Sequence, residues 1–79
     1  MARRWLVIGK RVPSGGWVSW PVNGEDLRSA ISEAVLTQES NDPSTDLMIA
    51  AVFDRQSGSS VLAWGRAEGI PASFLPKVR

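Results

Sequence analysis

The 79-residue sequence contains no cysteine, no histidine and no tyrosine. Without cysteine the chain has neither a disulfide framework nor a thiolate metal site. Without histidine it lacks the usual general base at neutral pH and a common transition-metal ligand, so a Ser-His-Asp triad is excluded. Neither a dinucleotide-binding glycine motif nor a P-loop occurs. We therefore predict a protein that is not an enzyme and that holds no metal ion and no cofactor.

Long hydrophobic runs are also missing. The apolar run at residues 5–8 is too short for the hydrophobic region of a signal peptide, and no small-residue cleavage site follows it. No stretch reaches the length that crosses a bilayer. We expect a cytoplasmic protein without membrane contact, a complete small open reading frame that starts at Met1, and a single domain spanning residues 1–79.

The net charge of +1 conceals a segregated pattern. Residues 1–11 carry only basic charges, and residues 55–79 are also mainly basic. Residues 12–54 between them hold seven carboxylates against the single cation Arg28. This segregation of charge is typical of an ordinary solvated surface. The functional interpretation is that the protein has two surfaces of opposite charge.

Four segments have the composition of β-strands. They cover residues 4–10, 17–22, 47–53 and 60–66, and turn residues precede the second and the fourth. Pro21 has no N–H for a strand ladder and therefore predicts that the second strand lies at an edge.

One helix is predicted between the second and third strands. Asn23 is a suitable N-cap. Residues 39–46 are predicted to form a polar, acidic loop, in which Pro43 stops any continuation of the helix. Leu36 lies off the apolar stripe and should face solvent. The stripe itself has helical spacing and comprises Leu27, Ala30, Ile31, Ala34 and Val35. The predicted fold is α+β, with the order ββαββ: a four-stranded, mainly antiparallel sheet, one amphipathic helix on one face and an extended C-terminal tail.

The third strand, LMIAAVF, is apolar on both sides. Strict alternation would put Leu47, Ile49, Ala51 and Phe53 on one face and Met48, Ala50 and Val52 on the other. Since one helix covers one face, the other needs a cover: the tail at 67–79, a second copy, or a different protein.

Two tryptophans bear on the same question. Trp17 and Trp20 are three residues apart, so in a strand they point to opposite faces. One should pack under the helix, and the other should join Met48 and Val52 on the second face, with Trp5 or Trp64 as a further candidate.

The order of the segments RWLVIGK, GWVSWPV, EDLRSAISEAVLTQES, LMIAAVF and SVLAWGR resembles that of small phage-encoded anti-CRISPR proteins that inhibit type I effectors. This resemblance is one of type: a short chain, no catalytic set and the ββαββ order. It spans most of the chain, contains no diagnostic motif and transfers no individual residue. It implies binding to a Cas effector subunit and a block of DNA recruitment or of the nuclease.

Three function hypotheses follow from the residues. The first is a protein-binding inhibitor whose apolar anchor and acidic, DNA-like surface engage a basic groove of a target. Its predicted partner-binding residues are Trp17, Trp20, Glu33, Leu36, Glu39, Asp42 and Asp46. The second is a nucleic-acid-binding module with a basic patch. That patch would comprise Arg3, Arg4, Lys10, Arg11 and Arg66. The third is a structural or regulatory homodimer that pairs through the second sheet face.

Overall fold

The computed structural model describes residues 3–63, with the backbone alone for residues 59–63. Its elements are β1 (Trp5–Val12), β2 (Trp17–Val22), α1 (Leu27–Asn41), β3 (Asp46–Asp54) and β4 (Ser59–Ala63). The predicted tail at 67–79 lies outside the described residues, as does Arg66.

β1 lies at the centre of an antiparallel sheet. It pairs with β2 through a hairpin and with β3 on its other side. The α+β class is therefore confirmed, with three antiparallel strands and one helix. β2 is an outer strand, as Pro21 predicted, and the backbone of β4 pairs with the free side of β3.

α1 begins later than Asn23 predicted. Asp26 is the N-cap, because its extended backbone lets the carboxylate accept a hydrogen bond of 2.8 Å from the Ser29 amide. Asn23 instead donates its backbone N–H to the Glu33 carboxylate at 3.3 Å. An aspartate caps as well as an asparagine, and Asp26 directly precedes the apolar Leu27. No helical segment among the described residues has the length and hydrophobicity needed to cross a membrane.

The helix covers one face of the sheet. Ala30 and Ala34 are fully buried there, and their small side chains allow α1 to lie close to the strands. Val35, which the stripe predicted to be buried, is 37% exposed. The cluster under the helix comprises Trp5, Val7, Val22, Ala30, Ala34 and Val52.

A β-bulge changes the faces of β3. Ile8 is opposite Ala51 and Gly9 is opposite Ile49, so Ala50 is an extra residue between two pairs. The strict alternation that the sequence suggested is therefore wrong beyond the bulge, because one extra residue inverts every later side chain. The side chains of β3 that pack under the helix are those of Leu47, Ile49 and Val52.

The second face also carries a buried cluster. We call Leu6, Ile8, Ala50 and Ala51 the second-face cluster, and Trp17 and Phe53 pack against it. The predicted apolar character of both faces of LMIAAVF is thus confirmed.

Candidate partner-binding surface

Five of the predicted partner-binding residues lie between the middle of α1 and the first residue of β3. We call this surface the acidic face; its members are Glu33, Leu36, Glu39, Asp42 and Asp46. Leu36 is 63% exposed, the largest exposed fraction among the large apolar side chains described. Glu33 and Glu39 lie three residues before and after it, so both are its neighbours on the helix surface.

A shallow groove of about 370 Å³ runs beside Leu36. The Thr37 hydroxyl donates a hydrogen bond of 2.7 Å to the Glu33 carbonyl oxygen. The same Glu33 accepts from the Asn23 amide through its carboxylate, which ties the groove to the start of the helix. The groove is lined by Glu33, Leu36, Thr37, Ser40 and Asn41.

The turn after the helix is held by Asp42. Its backbone N–H donates to the Gln38 carbonyl oxygen at 2.9 Å, which closes the C-terminal end of α1. Its carboxylate accepts from the Ser44 hydroxyl at 2.7 Å and from the Ser44 amide at 3.2 Å. These bonds lower the pKa of Asp42, and the positive charge of Arg11 lowers it further. The carboxylate is therefore kept ionised within a fixed turn.

Gln38 secures this turn to the sheet. It is fully buried, and its side-chain oxygen accepts a hydrogen bond of 3.0 Å from the indole N–H of Trp20. Its amide nitrogen donates to the hydroxyl of Thr45 at 2.7 Å. Sequence reasoning missed this residue because glutamine is usually exposed. A signal was present, since Gln38 continues the four-residue spacing of Ala30 and Ala34.

The charged side chains within α1 oppose its dipole, whereas the carboxylate of the N-cap Asp26, just before the helix, is favourably placed. The first turn holds no acid and the last turn holds no base. Arg28 instead lies near the N-terminal end and Glu39 near the C-terminal end, where the backbone already carries partial negative charge. No lysine or arginine occurs between Arg28 and Arg55. This placement costs stability, so the fold itself does not explain it.

The two tryptophans of β2 lie on opposite faces, as predicted. Trp20 packs against the cluster under the helix, and Trp17 packs against the second-face cluster. The predicted neighbours of the second-face tryptophan need correction, since the bulge turns Val52 to the helix side and Trp5 is buried in the cluster under the helix. Trp64 lies outside the described residues. Neither tryptophan belongs to the acidic face.

The basic residues that the structure describes near β1 lie towards its two ends, and the predicted patch stays a prediction because Arg66 lies outside the described residues. Arg4 lies at the start of β1, where its guanidinium binds the Asp54 carboxylate through two contacts of 3.2 Å. Lys10 lies six positions further along, about 20 Å away by the strand rise, with its ammonium 5.2 Å from the centre of the Trp17 ring. Arg3 stays with Arg4 and donates to the Pro21 carbonyl oxygen at 3.1 Å, whereas Arg11 lies beside Lys10.

The described residues 3–63 contain no group of three or more acidic, histidine or cysteine side chains placed to hold a metal ion. No family model matches the sequence, and neither the curated proteins nor the solved structures include a significant match.

Proposed function

We propose that this protein is a small, non-catalytic inhibitor that binds a protein target through the acidic face. Leu36 is the apolar anchor, and the surrounding carboxylates occupy a basic nucleic-acid groove on the target. The target class is a Cas effector subunit of a type I system, so that the protein acts as a phage counter-defence factor in the host cytoplasm. We also propose that the complete fold is ββαββ, with β4 as the fourth strand of the sheet.

The proposal rests on the unfavourable order of charges along α1, which has no acid in its first turn and no base in its last turn. A carboxylate at Glu39 near the helix C-terminus destabilises the helix and gains no basic partner within the last turn. Departures from local stability rules concentrate at functional sites. The exposed Leu36 lies in the middle of this unfavourable charge, where a partner would bury it.

The sign of the charge selects the partner. Among residues 3–63, Asp54 forms an ion pair, with Arg4, whereas no ion pair involves Glu39 or Asp46. Free carboxylates repel the phosphates of nucleic acid and attract a surface rich in lysine and arginine. Such complementarity accelerates association and makes it sensitive to salt. The acidic face is therefore suited to the surface that DNA itself would occupy.

The test is phage plating on a bacterium with active type I CRISPR immunity, with and without expression of this protein. We expect expression to restore plating towards that on a strain lacking the effector. Leu36→Ser and Glu39→Lys should each reduce the restoration. Matched controls are Met48→Ser, another exposed apolar residue at 40% exposure, and Glu25→Lys, an acid outside the acidic face. Both controls should protect phage as well as the unmodified protein does.

An assay with the purified protein, effector and DNA measures binding to the effector directly. The unmodified protein should compete with DNA for the effector, and Leu36→Ser should weaken its binding about tenfold or more, as a central apolar anchor does. No restored plating in any type I system would overturn the proposed target class. Restoration that Leu36→Ser and Glu39→Lys leave unchanged would overturn the proposed surface.

A further inference from the structure

The groove beside Leu36 lies between two ridges of α1. On a helix surface, side chains four residues apart line up as a ridge, and the space between two ridges receives a ridge of a second helix. Glu33, Thr37 and Asn41 have this spacing and form one ridge. Leu36 and Ser40 form the next. The same five side chains line the groove of about 370 Å³, so its form is the one that a packed helix fills.

The ridge of Leu36 and Ser40 combines a large side chain with a small one. Leu36 is the large apolar side chain of the groove, and it is 63% exposed. One turn further along, Ser40 is small and exposed. The distance between two packed helices depends on the side chains at their contact. A second helix can therefore lie close to α1 over Ser40 while one of its apolar side chains packs against Leu36.

The C-terminal end of the groove offers free hydrogen-bond acceptors. Pro43 has no N–H for the carbonyl oxygen of Glu39, four residues before it. The amides of the next two residues donate to the carboxylate and to the carbonyl oxygen of Asp42. The last three carbonyl groups of α1 therefore receive no hydrogen bond from residues 3–63. These carbonyls carry partial negative charge, and the last turn holds no base to neutralise it.

The other end of the groove holds a carboxylate. Glu33 accepts a hydrogen bond of 3.3 Å from the Asn23 amide through Oε2, which leaves Oε1 without a partner within the described part of the chain. Lysine and arginine form strong hydrogen bonds with carboxylates. The sequence contains neither residue between Arg28 and Arg55, so α1 and the turn after it supply no such donor beyond Arg28. Both ends of the groove are therefore suited to cations from outside.

We infer that the occupant of this groove is an α-helix of the target that carries lysine or arginine side chains on both sides of an apolar one. The inference rests on the proposed function, since it names the part of the target that the acidic face binds. The apolar side chain of the target helix packs against Leu36. One basic side chain binds the Glu33 carboxylate, and another binds the open carbonyl groups at the end of α1.

Two other occupants fit the groove less well. A second copy would pair identical faces and bring Glu33 and Glu39 against their own counterparts, and such like charges repel. An extended peptide would need the main chain of a strand edge to pair with, whereas the residues that line the groove all belong to α1. A basic helix satisfies both the form and the charge of the groove.

An NMR titration of the isotope-labelled full chain tests the inference without the effector. The ligand is an alanine-based helical peptide of about 20 residues, long enough to form a helix in water. It carries one leucine, with arginines four residues before and four residues after it. We expect saturable shifts of the Thr37, Ser40 and Asn41 amide signals. A peptide with glutamate in place of each arginine, and one with a central proline that breaks the helix, should both lose these shifts.

A variant that fills the groove gives the second measurement. Ser40→Trp places a large side chain at an exposed position and should abolish the shifts caused by the basic helix, while the amide signals of the sheet stay in place. The control Gln56→Trp, in the exposed turn between β3 and β4, should bind the peptide as the unmodified protein does.

The inference would be overturned by equal binding of the glutamate or proline peptide, by binding that Ser40→Trp leaves unchanged, or by no saturable binding of the basic helix. Amide shifts at Thr37 and Ser40 that change with protein concentration alone would also overturn it, in favour of a second copy. The proposed function fails separately, in the plating assay. Peptide binding without restored plating would keep the helical partner and remove the Cas target class.

Discussion

Trp20 and Gln38 are joined by a hydrogen bond of 3.0 Å from the indole N–H to the side-chain oxygen, across the interface between sheet and helix. The side-chain amide nitrogen of Gln38 in turn donates a hydrogen bond to the Thr45 hydroxyl. The edge strand, the helix and the turn that carries Asp42 are therefore held by one glutamine. Trp20 belongs to this framework, so its replacement by alanine would disturb the core as well as any binding surface.

Gln38→Leu should destabilise the protein. The leucine leaves the Trp20 N–H without its acceptor and removes the donor to the Thr45 hydroxyl oxygen, which keeps only its own bond to the Asp42 carbonyl oxygen. An unsatisfied buried polar group costs about 1–3 kcal/mol. Urea unfolding followed by tryptophan fluorescence measures the change. The control is Gln56→Leu at an exposed position. Equal stability of Gln38→Leu and the unmodified protein would show that this connection contributes nothing.

The Arg4–Asp54 pair should make stability depend on pH in the acid range. The hydrogen bonds from the Arg4 guanidinium are the main cause that lowers the pKa of Asp54, and the Gln56 N–H adds to it. Because the folded pKa lies below the unfolded one, the contribution is complete above the ordinary carboxyl pKa of about 3.9. It is lost as the pH falls through the lower, folded value.

Asp54→Asn and Arg4→Met should each reduce the rise of the unfolding free energy with pH between acid and neutral conditions. The double variant should show no further reduction, because either substitution alone breaks the pair. Some slope should remain, since the pKa values of Asp26 and Asp42 are lowered as well. Full additivity of the two substitutions would contradict the pairing.

Gly9→Ala should destabilise the sheet. A Cβ at Gly9 would lie 2.5 Å from the Met48 carbonyl oxygen and 2.8 Å from a Leu47 methyl carbon. Since one of these atoms belongs to the backbone at the bulge, the strands must shift, at a cost of about 1–3 kcal/mol. Thermal unfolding measures this cost against Ser14→Ala at an exposed turn position. An unchanged midpoint would mean that the strands do not approach so closely.

Glu39→Lys should have opposite effects on stability and on inhibition. A lysine near the C-terminal end of α1 interacts favourably with the helix dipole, which stabilises the protein by about 0.3–1 kcal/mol. The same change removes a carboxylate from the acidic face and should weaken target binding. Denaturant unfolding and the plating assay are compared on the same variant. A loss of both stability and inhibition would indicate misfolding instead of a lost contact.

Residue types and their spacing were enough to predict the order of the strands and the helix. The missing histidine and cysteine exclude sites that use an imidazole or a thiolate group, and Pro21 placed β2 at an edge because proline lacks a donor. The spacing of Trp17 and Trp20 fixed them on opposite faces, since side chains in a strand alternate. The exposure of Leu36 followed from its position off the apolar stripe.

Features that depend on contacts between residues far apart in sequence appear only in the folded chain. The extra residue Ala50 inverts the later part of β3, and strict alternation cannot reveal it because a bulge depends on pairing with Gly9 across the sheet. Gln38 is buried because Trp20 and Thr45, from other elements, satisfy its polar atoms. Arg4 is drawn into a pair by Asp54, fifty positions away, so the charge pattern alone could not show which residues remain available to a partner.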